Sequence, residues 1–464
     1  MTTPRRWIAA ILVLGAVAAL VFAFTGDPSP SGAAPVAAGA TPMWSARRVP
    51  QPIVDGVAGQ RLARRLATDV AGPSGCYMVQ SGGTVVASNQ VDTPFIPASG
   101  QKLFVATAAL ETLGPDFTYE TKTVAPSAVD NGAVSQLFLV GSGDPVLATD
   151  EYVQWTSEQG RLKTTTFTHL EALADAIQQA GVKRIPGGVV ADDSRYDALR
   201  TVPGWSSSYL SDGDVGPLGA LTVNDGFRTI TPRRLVTDDP GMLAAQKLTD
   251  LLAARGIQVG APSRGAAPQD AKEIAKVVSP PLKDIVASML SVSDALTAEL
   301  LAKELAVRAG KPGTTADGTA AITASLQKLG VPVDNLHLAD ASGLHRDNRT
   351  TCRTLLATLD LGAQPKLATL WTGLSTVGQN GTLVDQLRGL GLDGRLHAKT
   401  GFLNGVSAFV GNLDGDQPLH FVFLDNGGTG YSQSMAEQIR RDNAKVLTTF
   451  PEAPLADQLV PQPA

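Results

Sequence analysis

A hydroxyl and an amine three residues apart, in Ser99-Gly100-Gln101-Lys102, are the first pair that could do chemistry. On a helix, side chains at that spacing share a face and can meet. A serine hydroxyl is a poor nucleophile until a base takes its proton. A lysine held in a dry pocket near other cations has its pKa lowered enough to serve. The start of a helix adds backbone N–H groups and positive potential for a developing oxyanion. A second lysine stands in Lys399-Thr400-Gly401. It could blunt a sheet edge, or act as a cation beside the serine, with Gly401 leaving room for a substrate along the strand. Each short motif recurs by chance. Both in one chain, one on a helix and one on a late strand, make a stronger signal.

The elements that must position these residues can be read from the hydrophobic pattern. Gly59–Val70 reads as an amphipathic helix with Leu62, Leu66 and Val70 on one face. Cys76–Gln80 and Thr84–Ser88 read as a hairpin joined by Ser81-Gly82-Gly83. Ser99 follows Pro97-Ala98 in an N-cap position, and Gln101–Leu113 reads as a helix stopped by Gly114-Pro115. Pro280–Gly310 reads as strongly helical, and Thr315–Leu329 as another helix. Leu396–Phe402, Val406–Leu413 and Leu419–Leu424 read as consecutive hairpin strands, closed by a helix over Ser432–Thr448. From 116 to 270 the texture changes to short strand-like runs between turns rich in Gly, Asp and Pro, as expected of one or two inserted subdomains.

Composition narrows the function classes. Of 464 residues, 43% are apolar and 17% charged, so a large core can be buried. A net charge of −5 with no long basic run argues against a nucleic-acid partner. Five His and two Cys, without paired metal-ligand spacing, give no metal site, and no cofactor motif is present. Arg5 and Arg6 precede an apolar run from Trp7 to Phe24, the form of an export signal over residues 1–25. The run is long enough for a membrane span, so a cleaved signal and a retained anchor both stay open, with the anchor slightly favoured. Residues 26–53 read as a flexible linker, and export would permit a disulfide. Whether Cys76 and Cys352 pair, or are two buried thiols, stays open, because sequence does not show whether their backbones come within reach.

Ser-x-x-Lys, Ser-Asp-Asn and Lys-Thr-Gly in this order form the signature of penicillin-binding proteins and class A β-lactamases. The middle motif is Ser293-Asp294-Ala295 here. Further matching segments are Gly141–Pro145 (GSGDP), Asp192-Asp193-Ser194, Asp340–Leu344 (DASGL) with Arg346–Arg349, Gly378–Leu383 (GQNGTL) and Gly405–Ala408. On these residues the chain resembles the class C low-molecular-mass penicillin-binding proteins. This is the D-alanyl-D-alanine carboxypeptidase/endopeptidase family often called penicillin-binding protein 4. The roughly two hundred residues between Ser99 and Ser293 agree with the inserted domains of that family and disfavour a simple β-lactamase.

The resemblance implies an α/β (α+β) fold of the penicillin-binding transpeptidase and β-lactamase type: an antiparallel sheet flanked by helices, with β-rich insertions. The catalytic domain would be residues 54–115 plus 271–450, the insertion 116–270, and 451–464 a C-terminal tail. It further implies that Ser99 attacks the penultimate D-Ala carbonyl of a peptidoglycan stem peptide while Lys102 takes its proton. Ser293 would relay a proton to the leaving amine and Lys399 hold local charge. Thr400, Gly401 and Phe402 would line the substrate strand, Lys399 with Thr400 would meet the terminal carboxylate, and N–H groups of Ser99 and Phe402 would form the oxyanion hole. β-Lactams would acylate Ser99 by the same chemistry. Two positions depart from the family pattern: Ala295 replaces a usual Asn, and Phe402 a small hydroxyl residue. They motivate an alternative reading, a catalytically impaired homologue that binds wall peptides. Asp340 and Asp347 are expected to tie their loop together.

Overall fold

A computed structural model describes residues 51–69, 74–428 and 431–451. The apolar run at 7–24 lies outside them. Among the described residues no helix is long and apolar enough to cross a membrane, and no group of His, Cys, Asp or Glu could hold a metal ion.

The larger sheet is antiparallel and six-stranded, in the order Ser375–Thr376, Leu396–Leu403, Val406–Leu413, Leu419–Asp425, Gly75–Ser81 and Thr84–Asn89. Its central strands carry apolar residues on both faces because helices cover both. Alternation sorts the side chains: Met78, Ala408, Val410, Val422 and Leu424 pack with the Lys102–Leu113 helix. Tyr77, Val79, Phe409, Phe421 and Phe423 face the opposite core, with Leu62 and Leu66 of the Gln51–Asp69 helix and Leu447 of the Gln433–Leu447 helix. The first helix begins earlier than its amphipathic pattern suggests, and Val70 lies outside the described residues.

A second, five-stranded sheet is ordered Ser263–Arg264, Val189–Asp192, Leu137–Val140, Glu120–Ala125 and Lys272–Val278. Its first two pairings are parallel and the other two antiparallel. The Lys272–Val278 strand carries this sheet past residue 270. The Leu170–Gln179 and Pro240–Ala254 helices supply its separate core through Leu173, Ile177, Leu248 and Leu252. The fold is thus mixed α/β.

Cys76 and Cys352 form a disulfide, their Cα atoms 6.1 Å apart. It ties a central strand to the start of the Cys352–Asp360 helix across 276 residues. That is the pairing the sequence leaves open.

Two elements differ from their expected form. Ser99 is not a helix N-cap; it lies inside a 3-10 turn, Ala98–Gln101, from which the α-helix starts at Lys102. Ala98, at φ +43°, makes the sharp entry to that turn. Pro280–Gly310 is two helices, Leu282–Val292 and Ala295–Arg308. Ser293 adopts a left-handed conformation (φ +67°) that ends the first. Asp294 caps the second by accepting the N–H of Thr297.

Candidate active site

The 3-10 turn holds Ser99 at the mouth of a helix whose first residue, Lys102, is fully buried. Lys102 Nζ donates to Ser99 Oγ at 3.0 Å and to the Ser342 carbonyl at 2.6 Å. Burial pushes the Lys102 amine down to about 8, against partial opposition from Asp294, Asp340 and Glu299. A base poised near neutrality, within hydrogen-bond distance of a hydroxyl, can take that hydroxyl's proton.

Strand register brings the third motif to the same place. Lys399 pairs with Val410 and Gly401 with Ala408, so both share the sheet face that meets the serine turn. A Cβ on Gly401 would lie 3.0 Å from the Ser99 nitrogen and 3.1 Å from Ala98 Cβ. Glycine here admits the turn itself, a tighter requirement than room for a substrate. Lys399 is fully buried and donates to the Thr400 carbonyl at 2.6 Å. Its amine is held far below its ordinary value by burial, and then by the charges of Lys102, Arg161 and Arg440. Thr400 and Phe402, one residue either side of Gly401, project to the other face. Thr400 Oγ1 donates to Thr382 Oγ1 at 2.9 Å, and Phe402 stands opposite Ser407.

The loop around Asp340 supports the base. Asp340 is fully buried and accepts from Gln101 Nε2, Trp205 Nε1, Asn348 Nδ2 and the N–H groups of Gly343 and His345. It ties the loop as expected, whereas the Asp347 side chain is exposed; its backbone N–H donates to His345 Nδ1 at 3.1 Å and its carboxylate approaches that nitrogen at 3.9 Å. Gly343 passes so close to the Ala98 carbonyl that a side chain there would collide with it. Glu299 is the participant that sequence reasoning missed. Its Oε1 accepts the N–H groups of Ala341 (2.9 Å) and Ser342 (2.7 Å), fixing the peptide whose carbonyl holds Lys102. Burial pushes its carboxyl up to about 7. A glutamate in the middle of a helical run reads as a solvated face, so only its placement four residues after the Ser293 motif hinted at a role.

Ser293 lines a cleft of about 430 Å³ between the Ser293–Leu296 segment and the insertion. Ala295 is buried in an apolar cluster with Val215 and Leu218 of the insertion. Farther along the same helix, Lys303 pairs with Asp197 at 2.9 Å, and Glu304 with Arg195 at 2.8 Å. The helix that starts at the Ser293 motif is therefore tied to the insertion by two ion pairs.

An antiparallel sheet with a serine turn and helix packed against its Lys-Thr-Gly strand defines the penicillin-binding and β-lactamase-like class of folds. The chain belongs to the D-Ala-D-Ala carboxypeptidase 3 (S13) family, whose profile matches residues 62–235 and 228–449. It is 33% identical over 347 residues to a carboxypeptidase of Mycobacterium tuberculosis, covering 72% of each chain. It is 28% identical over 415 residues to the D-alanyl-D-alanine carboxypeptidase of Actinomadura sp. strain R39, covering 72% of this chain and 74% of that one. The fold matches penicillin-binding protein 4 of Haemophilus influenzae with a TM-score of 0.69 at 22% identity, over 84% of this chain and 98% of that one.

Proposed function

We propose that this chain is an exported serine D-Ala-D-Ala carboxypeptidase that trims peptidoglycan stem peptides through an acyl-enzyme on Ser99. The observation that carries the reading is Lys102 Nζ 3.0 Å from Ser99 Oγ, in a site dry enough to bring that amine to about 8. Lys102 takes the Ser99 proton as Oγ attacks the penultimate D-Ala carbonyl. The N–H groups of Ser99 and Phe402 receive the developing oxyanion, and Ser293 returns a proton to the amine of the departing D-Ala. Water then releases the acyl group; where the leaving amine belongs to a cross-link, the same steps are endopeptidase cleavage. Lys399 sets the local potential from beneath the strand. The insertion over residues 116–270 forms the far wall of the cleft, and an N-terminal signal or anchor places the enzyme in the cell envelope. The presence of this fold and family in β-lactam-binding proteins, including the Haemophilus influenzae protein solved with a β-lactam, supports β-lactams as acylating inhibitors.

Ala295 favours a second reading, an impaired homologue that binds stem peptides. Its methyl is packed into an apolar cluster and offers the cleft no side-chain donor. Intact mass after incubation with a penicillin, on the soluble part and on Ser99→Ala, separates the two. The carboxypeptidase reading predicts a stoichiometric adduct on the first and none on the second, with D-Ala released from a stem peptide. No Ser99-dependent adduct and no D-Ala release would leave the binding-protein reading.

A further inference from the structure

The segment of the insertion that follows the Asp150–Glu158 helix serves two cavities. Thr165 lines the Ser293 cleft, whereas its neighbours Thr164 and Thr166 line a second pocket of about 280 Å³. The facing wall of that pocket is one side of the Leu282–Val292 helix, where Asp284, Ser288 and Ser291 follow the i, i+4, i+7 spacing. A helix face turned toward a neighbouring segment is ordinarily apolar, and this one is polar down to its floor. Ser288 and Ser291 are 5% and 4% exposed. Ser291 Oγ donates to the Ser288 carbonyl, but among the described residues Ser288 Oγ has no hydrogen-bond partner. A hydroxyl buried without a partner is costly, so the floor is built to meet a polar ligand. At the rim Asp284 is exposed and, among the described residues, in no ion pair; its neighbour Lys283 is drawn away to Asp116 at 2.8 Å. No cation lines the pocket. Hydroxyls, one amide and one carboxylate disfavour an anion and suit the N–H and C=O groups of a peptide.

The pocket adjoins the leaving-group end of the catalytic site. Ser291 stands two residues before Ser293, which returns a proton to the leaving amine. Asn380, on the third side of the pocket, stands two residues before Thr382, which accepts from Thr400 on the strand that meets the terminal carboxylate. Gly381, between them, lies so close to the Ser291 carbonyl that a side chain there would collide with it, which locks this turn to the helix end. Arg161 holds the insertion segment to the same helix end by donating to the Val292 carbonyl at 2.9 Å. A D-Ala leaving group is complete at its carboxylate. A leaving amine that belongs to a second stem peptide carries more chain beyond that point.

We propose that this pocket is a subsite for the second stem peptide of a cross-link, so that the enzyme selects cross-linked substrates for endopeptidase cleavage. The inference rests on the D-Ala-D-Ala peptidase reading, and it leaves the terminal carboxylate on the Lys399-Thr400 strand. Peptide N–H groups of the second stem donate to Asp284, and its carbonyls accept from the hydroxyls of Ser288, Thr164 and Thr166. The bond broken is the amide between the acyl D-Ala and the cross-linking amine: the acyl group passes to Ser99 Oγ, and the amine leaves with a proton.

Binding without turnover tests it. The Ser99→Ala protein is titrated with an N-acylated stem peptide ending in D-Ala-D-Ala, and with the matching dimer whose second stem is joined through the leaving amine. The dimer should bind roughly tenfold more tightly, as one or two added hydrogen bonds require. Thr164→Trp, which fills the mouth of the pocket from an exposed position, should erase that advantage and leave binding of the single stem within about twofold. Ser288→Ala should reduce the advantage about threefold, the worth of one hydrogen bond. Equal affinity for dimer and single stem in the Ser99→Ala protein, a dimer advantage that survives Thr164→Trp, or an equal loss for both ligands would overturn the proposal. Failure of the catalytic reading is seen separately, as wild-type protein that prefers the dimer but forms no Ser99 adduct with a penicillin.

Discussion

The two walls of the cleft are built on opposite principles. On the Ser99 wall both lysines are buried, glycine at 401 lets strand and turn touch, and Glu299 and Asp340 immobilise the supporting loop. The Ser293 wall borders an open cleft of about 430 Å³ and is shared with the insertion, whose Arg161 donates to the Val292 carbonyl. The difference assigns the chemistry. Lowering a lysine pKa needs desolvation, so the base must sit where water is excluded. Admitting a substrate needs an open wall, which the Ser293 side supplies.

The largest break in this contrast is at the base. Lys102→Ala should slow acylation by penicillin about 10²- to 10⁴-fold, the usual worth of a positioned general base, while the protein stays folded. Stopped-flow or mass-resolved acylation checks this; a loss under threefold would mean that another group takes the proton.

The next effect is on stability and depends on pH. Burial favours neutral Glu299, so its folded pKa of about 7 exceeds the ordinary 4.5. Its contribution is therefore complete below about pH 4.5 and is lost as pH rises through about 7. Glu299→Gln keeps an acceptor for Ala341 and Ser342 without that charge. In denaturant titrations, the stability of the variant relative to wild type should improve from pH 5 to pH 8. A pH-independent difference would show that the carboxyl does not titrate with folding.

The smallest effect is on the open wall. Ala295→Asn adds an amide beside Ser293 and should raise acylation about tenfold, the lower range for one positioned donor in an active site. An unchanged rate would show that this wall functions without a side-chain amide.

The dry wall was largely legible in the sequence because its signals are local. Ser-x-x-Lys spacing puts hydroxyl and amine on one face, and the three late strands show their period and turns directly. The break at Ser293 was not legible: the apolar spacing continues across it, and a left-handed serine carries no compositional mark. Glu299 was hidden because a helix period does not say which polar position faces the core. Arg161 and the Cys76–Cys352 bond depend on segments brought together across more than a hundred residues, which no local pattern encodes. Phe402 stands in the sequence only as a large ring in place of a small hydroxyl residue. Strand alternation sends its side chain to the face opposite Gly401, a consequence that follows once the register is known.

The pH dependence of Ser99 acylation tests the central claim most directly. With Lys102 held at about 8 by burial, only its neutral form can accept the Ser99 proton. The acylation rate of the wild-type protein by a penicillin should therefore rise with pH, with a midpoint near 8, and level off above it. A rate that is flat from pH 6 to 9, or that still climbs through pH 10, would contradict a desolvated Lys102 as the base.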